Sequence, residues 1–347
     1  MTRARDVADT QDNLGGAVPP FVAGKNKIIN GDFSNWQRGT TFSASGYTAD
    51  RWNLGFGGTG ASAVVTQQSF TPGTAPVAGY ESSYFYQVAT TSGSDAGTYI
   101  TFEQRIEDVR TFAGQTITVS FWARATSGTP KVGLEVIQNP SGAGGTSVYG
   151  INSTTKTLST SWARYSFTFA VPALTQTAAQ TGPSNTSNIP MNFWLSNGSS
   201  LTARSGNPGL QTNTFQFWGM QAEVGSVATP FTTASGSIGG ELALCQRYYQ
   251  VVGAGFSGFN QNASYMAFAG TLAVPMRATP TLGLSSTALS WFNYGIGTTA
   301  VVISQIWGPY VSAPSGFAIE LQIASGNTST AKMALQMTNN YTASAEL

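Results

Sequence analysis

The sequence predicts an all-β protein: two β-sandwich or jelly-roll domains joined by a short helix and preceded by a short N-terminal segment. Three observations predict it. Eight segments between Lys27 and Thr232 alternate apolar and polar residues, are rich in β-branched or aromatic side chains, and are separated by Gly, Pro, Ser and Asn clusters. No helical period persists long enough for a parallel βαβ crossover, so the strands read as antiparallel. Charged residues make up 9% of the chain and aromatics 12%, with 20 Phe, 13 Tyr and 8 Trp. That is far below the usual charged fraction of about 25%, yet too aromatic for a disordered chain. The 347 residues suffice for two or three domains, each with its own core.

Residues 1–25 stand apart. "TRARDVADTQDNLG" carries alternating charges and a weak helical pattern, and "GGAVPPFVAG" is a Gly/Pro hinge that ends any helix. This segment reads either as a frayed terminus or as an anchor that orders on a partner. Its anchor candidates are Arg3, Arg5, Asp6, Asp9 and Leu14.

The first sandwich is expected over 26–232. It opens on "NKIINGDFSNWQRGTTF", in which Asn30-Gly31 is a turn signal and Phe33 and Trp36 lie over the open end of a sandwich. Trp36 reads as a core plug, with a ligand platform as the other reading. The strands follow at 61–70, 83–90, 98–106, 115–125, 130–139, 162–171, 191–197 and 214–225. Residues 233–252 form a linker and the short helix of "GELALCQRYYQ". There Leu242, Cys245, Tyr248 and Tyr249 share one stripe, either a seam between copies of the chain or an ordinary domain contact. A second, smaller β-sandwich is expected over 253–347, from "SYMAFAGTLAVPM" to "YTASAEL". Strands this neutral need their edges paired or covered, which favours a symmetric oligomer.

Composition excludes whole classes of chemistry. The chain has 16 Lys and Arg against 15 Asp and Glu, a net charge of +1, and the basic residues are scattered singly. Nucleic-acid binding needs a basic face and is not expected. No 18-residue apolar stretch exists, so no membrane insertion is expected, and the N-terminus lacks the apolar core of a Sec-type signal. There is no histidine, which removes Ser-His-Asp and Cys-His catalysis and His-ligated metals. Cys245 stands alone, so thiolate zinc sites and intramolecular disulfides are out. No metal or cofactor is expected.

A carboxylate pair of the glycosidase kind is the remaining route to catalysis. "FEQRIEDVR" gathers Glu103, Glu107 and Asp108, but interleaved Arg105 and Arg110 make it a solvated ion-pair cluster. A non-enzyme is expected. Sugar binding fits better, because rings stack on the apolar faces of sugars while amides and hydroxyls serve their OH groups. The ring candidates lie beside turns: Tyr47 and Trp52 in "GYTADRW", Trp291 and Tyr294 in "LSWFNYG", Trp307 and Tyr310 in "IWGPY".

Two resemblances add to this reading. Asn30-Gly31-Asp32-Phe33, Trp36 and "QTITVSFWARA" resemble the opening and middle strand of jelly-roll carbohydrate-binding modules. Ser34 stands where that family has Glu, and "FQFWGMQAEVG" lacks its paired aspartates, so the family's structural calcium is not implied here. The whole chain resembles virion proteins of tailed bacteriophages, in particular cyanophage-like tail fibres. The similarity lies in "MTRARDVADTQDNLGGAVPPFVAGKNKIINGDF", "WQRGTTF", "YTADRW", "QRIEDVRTFAGQTITVSFWAR", "FWGMQAEVGSVATPF", "GELALCQRYYQ", "VPMRATPT" and "ASAEL". That resemblance implies a homotrimeric, non-enzymatic appendage, assembled in host cytoplasm and located in the virion. Its N-terminus would join other tail or head proteins, and host surface glycans would be its ligands. The alternative is a non-adhesive decoration or adaptor protein. A depolymerase is disfavoured, since no solenoid repeat is visible.

Overall fold

Alternation becomes two stacked sheets. The computed structural model describes residues 24–77, 80–252, 257–260, 262, 264–284, 288–293, 297–325, 334–337 and 341–347. The anchor candidates Arg3, Arg5, Asp6, Asp9 and Leu14 lie outside the described residues. The chain divides into two compact units, Met1–Glu241 and Leu242–Leu347.

The first unit carries β1 (Thr41–Phe42), β2 (Gly46–Tyr47), β3 (Asn53–Gly57), β4 (Ser62–Ser69), β5 (Tyr84–Thr91) and β6 (Tyr99–Glu107). It continues with β7 (Thr116–Ala125), β8 (Lys131–Gln138), β9 (Val148–Thr157), β10 (Ala163–Ala170), β11 (Asn188–Asn197) and β12 (Asn213–Val224). They form two six-stranded antiparallel sheets, ordered β1-β4-β5-β12-β7-β10 and β2-β3-β6-β11-β8-β9. All eight segments read from the sequence are strands. β9 was not among them, because "VYGINSTTKT" is nearly all polar.

The inward residues of both sheets meet in one core. Val88, Phe121, Phe215 and Phe217 come from the first sheet and Ile100, Phe102, Leu134 and Phe193 from the second, all fully buried. Phe102 stacks on Phe193 at 5.0 Å and meets Phe217 across the sandwich at 4.7 Å. Each such ring contributes about 1.5–3 kcal/mol of burial.

The "NGDF" stretch is a clasp. Asn30 (φ 56°) and Phe33 (φ 55°) take left-handed conformations, which the Asn side chain supports by bonding its own backbone neighbourhood. Its Nδ2 donates to the carbonyls of Asn35 at 2.9 Å and Asp50 at 3.0 Å, and its Oδ1 accepts from Asn35 N–H at 2.9 Å. Gly31 is required: a Cβ there would sit 2.2 Å from the Met220 carbonyl oxygen on β12. Trp36 is half-buried and stacks on Tyr86 at 5.8 Å, as the plug reading expects.

The entering chain is tied to the leaving chain. Gly24 N–H donates to Ala234 O at 2.8 Å, Lys27 N–H to Ala222 O at 2.9 Å and Asn26 Nδ2 to Thr232 O at 2.9 Å. Asn30 N–H donates to Glu241 Oε1 at 2.5 Å, and Gln104 bonds both backbone groups of Ile29 at 2.7 Å.

Besides α1 (Ala178–Thr181) and α2 (Thr202–Ser205), the expected connector helix is α3 (Ile238–Gln246). It is shorter than the stripe required. Tyr248 lies in a turn, and Tyr249 opens β13 (Tyr249–Val252) opposite Ser344. Cys245 and Tyr248 are already buried within the chain, 1% and 3% exposed, so neither side chain is a free face for a second copy. Leu242 and Tyr249 are half-buried.

The second unit has a three-stranded sheet, β13 with β21 (Tyr341–Ser344) and β16 (Thr281–Leu284). Its other strands are β14 (Ser257–Asn260), β15 (Tyr265–Thr271), β17 (Ala288–Asn293), β18 (Gly297–Ala313), β19 (Gly316–Ser325) and β20 (Ala334–Met337), which close into a six-stranded barrel. Met266, Phe268, Phe317, Leu321 and Tyr341 lie in its core. Closure pairs β14 with β20 and so removes the edges of the barrel, while β13 and β16 remain edges of the three-stranded sheet.

Candidate functional site

The outer face of the second sheet is where ring, amide and carboxylate side chains converge. Period-two alternation sends Ile100, Phe102 and Phe193 inward, leaving Tyr99, Thr101, Glu103, Asn192 and Trp194 outward. The register sets two adjacent rows. One runs Gly55, Thr101, Trp194, Gly133 and the other Asn53, Glu103, Asn192, Glu135, across β3, β6, β11 and β8.

Two glycines shape the groove. A Cβ on Gly57 would lie 2.7 Å from Tyr99 Cε1, so the Tyr99 ring rests across β3 only because that position is bare. A Cβ on Gly133 would lie 2.0 Å from Ser205 O, so its absence lets the 198–206 loop press against the sheet. That loop turns through a 3₁₀ segment, Ser199–Leu201, and then α2, ending at Gly206 (φ 71°). The result is a groove of about 320 Å³ lined by Gly97, Tyr99, Thr101, Asn192, Trp194, Leu201 and Arg204.

Its electrostatics centre on Glu135, which is fully buried. Arg204 donates Nε to Oε1 at 2.8 Å and Nη2 to Oε2 at 3.0 Å. Gly150 N–H donates to Oε1 at 3.0 Å, Trp194 Nε1 to Oε2 at 3.2 Å and Asn192 Nδ2 to Oε2 at 3.4 Å. The Arg204 guanidinium also lies over the Tyr149 ring at 4.6 Å and the Trp194 ring at 5.6 Å. Asn192 is 6% exposed, and its Oδ1 has no hydrogen-bond partner. A buried acceptor left unmade costs about 1–3 kcal/mol. Tyr99 and Tyr149 are 38% and 56% exposed.

The nearby carboxylates are committed. Glu103 bonds Arg105 at 2.8 Å and Asp108 bonds Arg110 at 3.1 Å. Asp95, beside Gly97, is held below the usual carboxylate range by hydrogen bonds from Thr59 and Thr98. Among the described residues no group of three or more His, Cys, Asp or Glu is placed to hold a metal, and no helix is long and apolar enough to cross a membrane.

The rings chosen from sequence fare differently. Trp52 is a correction: it is 0% exposed, packs at 5.2 Å from Phe33 and 5.5 Å from Phe102, and donates Nε1 to Asn30 O at 3.0 Å. "GYTADRW" turns that ring inward, so it presents nothing. Tyr47 is half-buried beneath the Arg38 guanidinium, 5.1 Å from its ring centroid. It pairs with Asn53, which extends the Asn192 row to the sheet edge. Trp291 lies on β17 and Trp307 and Tyr310 on β18, with side chains outside the described set, and Tyr294 is outside the described residues. Sequence reasoning missed Tyr99, Tyr149, Asn192, Trp194 and Arg204. The alternation in "TYITFEQRI" and "MNFWLSN" holds part of the signal. The pairing that brings these strands together is not local.

A second cavity, of about 450 Å³, is lined by Ser69, Phe70, Glu81 and Tyr84 among others. The adjoining indole N–H, Trp218 Nε1, is spent on Ser82 Oγ at 2.8 Å.

No protein-family model matches the chain, and no curated protein matches it. Solved structures similar to it include the enzymatically active domain of tailspike protein 4 from bacteriophage CBA120, at 17% identity and TM-score 0.35 over 58% of this chain. The match takes in 21% of that tailspike chain. A family 22 carbohydrate-binding module from Clostridium thermocellum is similar at 15% identity and TM-score 0.34, over 60% of this chain and 100% of the module. A family 11 carbohydrate-binding module from the same organism, solved with a mixed-linked β-1,3-1,4 tetrasaccharide, gives 13% and 0.32, over 55% and 98%.

Proposed function

We propose that the first unit is a non-catalytic carbohydrate-binding module that holds a polysaccharide along the outer face of its second sheet. The groove itself carries the proposal, because the exposed Tyr99 ring walls it, the Trp194 ring lies in its floor, and Asn192, whose Oδ1 has no hydrogen-bond partner, is part of its lining. An exposed aromatic ring and an amide are what a sugar's apolar face and hydroxyl need. We further propose, from the sequence resemblance, that the chain is a homotrimeric virion appendage of a tailed phage and mediates host attachment. Residues 1–25 would anchor it to other virion proteins, and Trp291, Tyr294, Trp307 and Tyr310 would give the second unit a further glycan patch. Weak sites on several copies would then act together.

The test is retention of the full chain on polysaccharide gels and on candidate host cells before and after periodate treatment. Tyr99→Ala and Asn192→Ala should each weaken retention roughly tenfold, about 1.4 kcal/mol, while the fold is kept. Unchanged retention in both variants would sink the groove assignment. Undiminished binding after periodate would sink the carbohydrate reading. Deleting residues 1–24 should abolish incorporation into particles, and loading of the truncated protein would refute the anchor.

A further inference from the structure

Among the described residues, the cations at the groove are paired with carboxylates. Arg204, its one lining cation, has two of its nitrogens forked onto Glu135 and its plane against Tyr149. Arg105, one row over, is bonded to Glu103. The carboxylate beyond Gly97 at the groove's end, Asp95, is ionised and bonded to Thr59 N–H at 2.6 Å and Thr98 Oγ1 at 3.0 Å, with no cation among those partners. Apart from Arg204 Nη1, which the fork does not use, the lining is uncharged: the exposed Tyr99 ring, and behind it the nearly buried Trp194 ring, Thr101 hydroxyl and Asn192 amide.

We infer that the groove selects uncharged polysaccharide chains over uronate- or sulfate-bearing ones, and that Glu135 is the residue that sets this selectivity. Glu135 touches no ligand. It acts by occupying the Arg204 guanidinium, the group that an acidic sugar would otherwise claim in the same two-bond geometry. An acidic chain entering the groove finds the two-bond edge of Arg204 already taken, with Nη1 alone outside the fork, and meets the Asp95 charge at one end. Juxtaposing like charges costs enough to weaken binding by roughly tenfold or more.

This inference rests on the carbohydrate-binding reading, and the experiment separates the two. The full chain is run by affinity electrophoresis through gels holding a neutral polymer (mixed-linkage β-glucan, xylan, galactan or mannan) or an acidic one (polygalacturonate or alginate), each at low and moderate salt. The expected result is retention on at least one neutral polymer and none on the acidic ones. Glu135→Gln should gain salt-sensitive retention on polygalacturonate of roughly tenfold. Because Glu135 is buried, a second variant keeps the test open if that one does not fold: Thr101→Lys adds an unmatched cation to the groove floor and should make the same gain. Retention of the wild type on acidic polymers overturns the selectivity but leaves the binding reading standing. Retention on neutral polymers with no gain in folded Glu135→Gln overturns the role given to Glu135, and no gain in folded Thr101→Lys overturns charge as what bars acidic chains. No retention on any polymer removes the binding reading and this inference with it.

Discussion

Arg204 and Glu135 meet in a two-bond fork, 2.8 Å and 3.0 Å long, that fastens the 198–206 loop to the outer face of β8. Glu135 is fully buried whereas 36% of the Arg204 side chain is exposed, so the two partners are unequal. Removing the guanidinium strands a buried carboxylate. Arg204→Ala is expected to cost about 3 kcal/mol in urea denaturation. The double variant Arg204→Ala, Glu135→Gln should recover part of that loss, since no charge is then left unpaired. Losses that simply add would show the pair to be uncoupled.

Trp52 behaves as core. Trp52→Ala should lower stability by about 3–5 kcal/mol, and Trp52→Phe by about 1–3 kcal/mol, because Asn30 O loses its donor. Neither should change polysaccharide affinity in protein that remains folded. A selective loss of affinity in Trp52→Phe would return the ring to the ligand surface.

At Gly31 the obstacle is backbone against backbone, so no side-chain rotation relieves it. Gly31→Ala should cost about 1–3 kcal/mol or more, as overpacking does. Thermal denaturation measures it, and an unchanged midpoint would mean that β12 moves away freely.

Two carboxylates around the clasp make stability depend on pH. Burial raises Asp32 above its ordinary 3.8, despite opposing bonds from Ser34, and raises Glu241 above 4.5, despite bonds from Asn30 and Ser235. An acid whose folded value is raised binds more protons folded than unfolded. Its stabilising effect is full below the ordinary value and is lost as pH climbs through the raised one. Glu223 works the other way. Burial alone would push it up, but bonds from Thr229, Gln221 and Lys25 hold it below 4.5, so its contribution is lost as pH falls. Urea midpoints taken upward from about pH 4 should therefore decline less in Asp32→Asn than in the wild type. Parallel curves would remove Asp32 from the account.

Much of the fold could be read from local pattern, and the site mostly could not. β6, β7, β11 and β12 announce themselves because large apolar inward residues alternate with mainly polar outward ones, Tyr99 and Trp194 being among the exceptions. β9 hides because only Ile151 and its neighbour strand mark its inner side. The class of ligand surface followed from composition, which is poor in charge and rich in amides and rings. The particular rings did not. Trp52 sits beside a turn and looked presented, but Asn30 O draws its indole N–H inward. Trp194 looked like an ordinary strand residue, and its place in the groove depends on β11 lying between β6 and β8, with Thr101 on one side and the bare Gly133 on the other. Cross-strand register over some ninety residues of separation is not written in any window of the sequence.

The clasp between residues 24–30 and 222–241 has a mechanical consequence. Because the chain enters and leaves the first unit at one place, tension applied between its two ends meets the bonds of Gly24 to Ala234, Asn26 to Thr232 and Asn30 to Glu241 before it reaches those of Asn26 and Lys27 to β12. The sandwich is then a side-loaded bead on a tether and stays out of the line of pull. A tether tugged from both ends would give first at the clasp, paying out a short length of chain while the groove kept its shape.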